Sequence, residues 1–157
     1  MFSIYSLELI APIEEVLKHK LRSNAAFIVI NTEYVAAPRF VQYAFLQAYK
    51  SYAGGKNIAN TLSLEWLCKI ALTANVSNAV EFTKPALPAI CLADVNCFDD
   101  VNKTELQAIG KLRLPSKEFL KNAEQSLCKK YGLTVEALAV YKFEDLLIEK
   151  AAVENLV

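Results

Sequence analysis

Hydrophobic and polar positions alternate at the start of the chain. Tyr5, Leu7 and Leu9 interleave with Ser6 and Glu8, a period of two that predicts a strand with one apolar face over Phe2 to Ile10. Pro12 then suits a first helical turn, where its missing N–H has no helical partner to lose. Ile13, Val16, Leu17 and Leu21 fall on one face of the short helix that follows. The run AFIVIN, Ala26 to Asn31, is continuously apolar and rich in β-branched residues, which predicts a strand covered on both faces. From Pro38 the period lengthens. Val41, Ala44, Phe45, Ala48 and Tyr52 form a helical stripe that stops at Gly54-Gly55, because glycine adopts the left-handed conformation that ends a helix at little cost.

Helical spacing dominates the second half. Leu64, Leu67, Cys68, Ala71 and Leu72 predict an amphipathic helix within Asn60 to Thr73, with Lys69 on the opposite face. Asn75 has the side chain to cap a helix over Val76 to Phe82, which Pro85 ends. Leu87 to Asp94 reads as a strand, with Pro88 at its start or on an edge. Asn102 and Glu105 have capping-box spacing for a short helix reaching Ile109 and stopped by Gly110. Leu120, Ala123, Leu127 and Tyr131 define a longer helix over Phe119 to Tyr131, with Gly132 as its stop. Thr134 caps a short helix through Tyr141, and a last helix from Phe143 carries Phe143, Leu146, Leu147 and Ala151 on one side. Three or four strands and about seven helices predict an α/β (α+β) fold: one compact domain over 1–157, with a small mixed sheet covered by helices.

Composition supports a folded chain. Of 157 residues, 54% are hydrophobic and 22% charged, the reverse of the balance that leaves a chain disordered. No apolar run has the roughly 18 residues of a membrane-spanning helix, and the N-terminus lacks the basic-then-apolar pattern of a signal peptide. The expectation is a soluble cytoplasmic protein, or a nuclear one in a eukaryote, without a membrane partner. Lys plus Arg equals Asp plus Glu at 17 each, so no basic excess points to general nucleic-acid coating.

Candidate chemistry is sparse. Cys68, Cys91, Cys97 and Cys128 form no C-x-x-C pair, and the single His19, between Lys18 and Lys20, completes no zinc-ligand spacing with them. These thiols read as small core residues, and His19 as a solvated surface group without a catalytic partner. No glycine-rich phosphate loop is present. Asp94, Asp99 and Asp100 read as polar residues leading to the Asn102 cap. Nothing in the pattern calls for an enzyme, a metal or a cofactor.

Two stretches carry a family likeness. Asn60 to Pro85 (NTLSLEWLCKIALTANVSNAVEFTKP) and Lys129 to Val157 (KKYGLTVEALAVYKFEDLLIEKAAVENLV) resemble the small kinase-binding accessory subunit of the KEOPS tRNA-modification complex, TPRKB-like in eukaryotes and with archaeal counterparts. Glu65 and Leu67 match that family's first helix. Asn75 and Val76 stand where it has Gln-Ile, and Ala79 and Glu81 follow. In the second stretch, Gly132, Glu136, Ala137, Leu138, Asp145, Leu146, Glu149, Lys150 and Ala151 fall in the family's order. Strand and helix layout agrees over the rest of the chain.

The resemblance implies a non-catalytic subunit that binds the kinase-like ATPase subunit and supports threonylcarbamoyl-adenosine modification of tRNA. It also implies a hold on the single-stranded CCA end. Lys50, Lys56, Asn60, Lys69, Asn75 and Lys84 are the residues available for that end, with Lys56, Lys69 and Lys84 expected to converge at one end of a two-helix hairpin. The family's Arg-Gln is Ala74-Asn75 here, which removes a guanidinium able to contact phosphate and stack on a base. Phe143, Leu146, Leu147, Ile148 and Ala151 are the residues implied for the kinase. A protein adaptor that docks on and stimulates a kinase without touching tRNA is the alternative.

Overall fold

A computed structural model describes residues 2–14, 26–95 and 107–154. Expectations that rest on Val16, Leu17, His19, Leu21, Cys97, Asp99, Asp100, Asn102 and Glu105 lie outside the described residues. The strands are β1 (Phe2–Leu9), β2 (Phe27–Ile30), β3 (Ala89–Val95) and β4 (Gly110–Arg113), in the sheet order β2-β3-β1-β4. Among the described residues a 3-10 helix (Thr32–Ala36) precedes six α-helices. These are α1 (Pro38–Ala53), α2 (Leu62–Ala71), α3 (Val76–Thr83), α4 (Lys117–Lys130), α5 (Val135–Leu138) and α6 (Phe143–Glu154). The expected mixed α/β class is the observed one.

The sheet is antiparallel rather than mixed, with all three pairings of that kind. β1 and β2 do run in the same direction, as alternating strands and helices imply. β3 inserts between them in the opposite sense, so neither neighbour of β3 is parallel to it. β4 pairs with only half of β1, from Ser6↔Arg113 to Leu9↔Gly110. Gly110 therefore begins a strand instead of only stopping a helix. Its Cα lies against the Glu8 carbonyl oxygen so closely that an added Cβ would sit 3.1 Å from it.

The sheet has an apolar cluster on each face. Phe2, Ile4, Ile28, Ile30, Cys91 and Ala93 join the helices in the main core. Tyr5, Leu7, Leu9, Phe27, Val29, Ile90 and Leu92 form the second cluster with Ile109. Strand β3 is thus buried on both faces, whereas β2 alternates between buried and half-buried. AFIVIN was expected to be the doubly covered strand. It lies at the sheet edge, and the central place went to β3.

Side-chain caps fix the helices as sequence chemistry requires. Asn75 accepts from Asn78 N–H at 3.0 Å, Ser116 from Phe119 N–H at 3.1 Å and Thr134 from Ala137 N–H at 3.2 Å. Gly132, at φ +67°, ends α4. The N-terminus of α1 has Ala37 as its cap residue, with no side-chain bond of its own. Glu144 of α6 fills that role from across the fold, its Oε1 accepting from Arg39 N–H at 2.8 Å and Phe40 N–H at 3.4 Å. Buried Trp66 ties α2 to α1 by donating from Nε1 to the Val41 carbonyl at 2.9 Å.

Candidate functional site

The segment between α1 and α2 is braced throughout. Gly54 N–H returns to the Lys50 carbonyl at 3.0 Å, and Lys56 N–H to that of Ser51 at 2.8 Å. Gly55 makes the reversal at φ +66°, as the glycine pair predicts. Tyr52 Oη donates to the Asn60 carbonyl at 3.1 Å, and Asn57 Nδ2 to that of Ala59 at 2.8 Å. Thr61 then caps α2 by accepting from Leu64 N–H at 3.2 Å.

One turn into α2 stands Glu65, with 0% of its surface exposed. Its Oε2 accepts from Ile58 N–H at 2.8 Å and Ala59 N–H at 2.9 Å. Its Oε1 has Lys69 Nζ at 3.4 Å, yet no aligned hydrogen bond. Lys69 is itself withdrawn from solvent, its side chain 14% exposed. A buried carboxylate is costly unless paired and hydrogen-bonded, and these contacts are what compensate it. Lys69 also lines a cavity of about 220 Å³ together with Ile58, Thr73, Ala74 and Glu154.

The expected tRNA-end residues divide accordingly. Lys50, Lys56 and Asn60 are exposed; Lys50 stands in the last turn of α1, and Lys56 and Asn60 in the braced turn that follows. Lys69 faces Glu65 and is not a free surface cation, which corrects its expected placement on a solvated helix face. The reason is that α2 is buried nearly all round: Glu65, Trp66, Cys68 and Ile70 are enclosed, not the Leu64–Leu67–Ala71 stripe. Asn75 spends its side-chain oxygen on the α3 cap. Lys84 lies beyond the other end of that eight-residue helix, about 12 Å of rise away, with Glu81 Oε2 at 3.8 Å. Pairing with Glu65 takes Lys69 out of the expected cluster of free cations at one end of the hairpin.

The expected kinase-facing stripe turns inward. Leu147 and Ala151 are enclosed in the domain's own core, and Phe143 and Ile148 pack against it half-buried. Leu146 is half-buried as well. Leu147 and Ala151 therefore cannot be offered to a partner by this fold. Helical periodicity located the stripe, and α1 took it up. Glu144 and an Arg39–Asp145 ion pair at 3.0 Å hold the start of α6 against the start of α1.

Tyr52, the last residue of the expected α1 stripe, is 41% exposed, and the stripes read from the sequence mark none of Leu46, Tyr49 and Val153, which also remain outside. Leu46 and Tyr49 on α1 are 50% and 56% exposed, and Val153 on α6 is 58% exposed. Leu46 and Tyr49 lie three residues apart and off the Val41–Ala44–Ala48 stripe. That spacing was the available signal.

Burial biases several interior groups toward their neutral forms. Burial pushes the thiols of Cys68, Cys91 and Cys128 up, so they are protonated core residues, not activated nucleophiles. Burial likewise raises Tyr34 and Tyr131, whose hydroxyls meet at 3.0 Å while Tyr131 donates onward to the Ile70 carbonyl at 2.7 Å. Asp94, at the end of β3, is pushed up to about 6 by burial, against the opposing pull of the N-terminal ammonium and a Val95 backbone hydrogen bond. Among the described residues no group of three or more His, Cys, Asp and Glu is placed to hold a metal, and no helix is long and apolar enough to cross a membrane.

Fold and surface together define a small antiparallel α+β domain with a braced, cation-bearing turn and an exposed apolar face on one helix. Comparison with protein-family models and with curated proteins finds no match to the chain.

Proposed function

We propose that this protein is a non-catalytic accessory subunit of the KEOPS type, which binds the complex's kinase-like ATPase subunit and supports threonylcarbamoyl-adenosine modification of tRNA. One observation carries the reading. The two stretches that resemble the family are far apart in the chain but adjacent in the fold. Tyr131, from the second, donates to Ile70 of the first and stacks edge-on against Phe82 with ring centroids 5.4 Å apart. Lys130 Nζ sits 4.5 Å from the Phe82 ring centroid and 3.0 Å from Glu33 Oε1. The resemblance thus follows a single packed unit instead of two unrelated fragments.

The partner surface in this reading draws on the exposed apolar residues of α1, Leu46 and Tyr49, and on the exposed side of α6, where Asp145, Glu149 and Val153 follow at helical spacing. An apolar centre with a charged border is the usual anatomy of a protein interface. Affinity purification of the tagged protein should recover a kinase-like ATPase, and Leu46→Asp with Tyr49→Asp should abolish that recovery while leaving thermal unfolding intact. Recovery of no such ATPase by the wild-type protein would refute the reading. Deleting Ile148 to Val157 is a poor substitute, because it removes Ile148 and Ala151 from the core.

Contact of the turn 56–60 with the tRNA end is part of this reading, and docking on the kinase without tRNA contact is the second reading, on which two observations of this chain bear. Ala74 stands where the family has Arg, and Lys69 is engaged by Glu65. Electrophoretic binding assays with tRNA that has and lacks its CCA end separate the two readings. Equal affinity for both would leave docking alone.

A further inference from the structure

We infer that Glu65 is a positioning residue: its buried carboxylate locks the turn 56–60 and so fixes how Lys56 and Asn60 are presented to a ligand. The inference rests on the reading of that turn as a tRNA-end site and names what shapes it.

Four features lead to it. Ile58 and Ala59 direct successive backbone N–H groups at one oxygen, Glu65 Oε2, at 2.8 and 2.9 Å. Ala59 is 2% exposed, so the turn dips into the protein at its middle while Lys56 and Asn60 stay outside on either side. Glu65 comes from the rigid body of α2, not from the turn, so the turn is referenced to the core. The rest of the bracing, from Asn57, Tyr52 and the Lys56 amide, is bonding between neutral groups. Hydrogen bonds to a charged acceptor are about twice as strong as these. A surface turn of this length would otherwise sample many backbone states, and ordering it on binding would cost affinity.

Lys69 completes the device. Its ammonium stands 3.4 Å from Oε1 and is the opposite charge that compensates the buried carboxylate. Lys69 therefore acts on a ligand through Glu65 and the turn, not by reaching a phosphate. That distinction makes the inference testable.

Two double variants isolate it. Glu65→Gln/Lys69→Met and Glu65→Leu/Lys69→Met both remove the two charges together, a replacement that buried ion pairs commonly tolerate. They differ in one respect: glutamine keeps an acceptor for Ile58 and Ala59, and leucine does not. Hydrogen exchange should show Ile58 and Ala59 amides protected in the glutamine variant. In the leucine variant they should exchange about 10- to 100-fold faster, while amides of α1 and β3 stay unchanged in both. A short single-stranded RNA ending in CCA should bind the glutamine variant within about threefold of wild type and the leucine variant roughly tenfold more weakly. Equal protection of Ile58 and Ala59 in the two variants would overturn the inference, as would equal RNA affinity in variants whose protection differs. If wild-type protein binds no RNA at all, the RNA reading fails by itself, and amide exchange still decides whether Glu65 locks the turn.

Discussion

Helices α2 and α6 are similar in length and in apolar content, yet they are built into the domain by different means. α6 buries a conventional stripe, Leu147 and Ala151, and leaves Asp145 and Glu149 in water. α2 has almost no outward face. It encloses Trp66 and Ile70 on one side and a carboxylate on another. In α6 the polar groups mark the surface. In α2 a polar group marks the interior, because Glu65 has a job there that an apolar residue cannot do: it accepts two backbone N–H groups from the preceding turn. Charge in a helix is thus no guide to exposure once the helix neighbours an irregular segment whose amides need partners.

That contrast can be broken in several ways. The largest effect is expected from Glu65→Leu alone, which strands Lys69 as an uncompensated charge and frees two buried amides. A loss of about 4 kcal/mol in denaturant-derived stability is expected, and restoring neutrality with Lys69→Met should recover much of it. Leu147→Ala should cost about 3 kcal/mol, the usual range for a fully enclosed leucine, with no pH dependence. A loss below about 1 kcal/mol would mean that α6 is a peripheral element and not a core one.

Asp94 is a second buried acid, and it sharpens the comparison because among the described residues no Lys or Arg side chain pairs with it as Lys69 does with Glu65. Its folded-state pKa, raised to about 6, lies above the ordinary carboxylate value, so the folded protein holds the proton more tightly than the unfolded chain. The stabilisation that this proton supplies is complete below about pH 4 and is lost as pH climbs through 6. Asp94→Asn should therefore be the more stable form at pH 8 by about 1 kcal/mol, the shift being discounted for solvent screening, and should match wild type near pH 4. Thermal melts at the two pH values check both halves.

Smaller effects test how α6 is clamped. Glu144→Ala should cost about 1 kcal/mol, the usual value of a helix cap, and should loosen amide exchange at the first turn of α1. Arg39→Ala removes an ion pair with both side chains about half exposed. The expected change is about 0.3 kcal/mol and should vanish in high salt.

Much of the helix inventory was legible in the sequence because its punctuation is local. Asn75, Thr134, Gly54-Gly55 and Gly132 act on neighbours within four residues, and each does what its chemistry implies. β4 was not legible. Gly110–Arg113 reads GKLR, three of its four residues are exposed, and its pairing partner is roughly a hundred residues away in β1. The sense of the sheet was also hidden, since an insertion of β3 between β1 and β2 leaves no trace in either strand's own pattern. The candidate site was legible in part. Lys56 and Asn60 share a turn flanked by glycine and a threonine cap, with Lys50 one helical turn before the glycines, and the sequence places them together. The engagement of Lys69 was visible only as Glu65 four residues before it, a spacing that ordinarily marks an exposed helix pair. What made it different was burial of the whole helix, and that depends on α1 and the turn folding over it.

The central position of β1 has a consequence for how the molecule is made. Phe2–Leu9 is synthesised before the other three strands, yet both its neighbours, β3 and β4, come from Ala89–Arg113. On the ribosome the strand must wait for more than half of the chain before either edge is paired. Throughout that interval its alternating apolar residues, Phe2 to Leu9, are open to other chains. Such long-range pairing slows folding and lengthens exposure to misassociation. A bulky fusion at the N-terminus would act on the strand that closes the sheet, whereas one placed after α6 would meet an already assembled sheet.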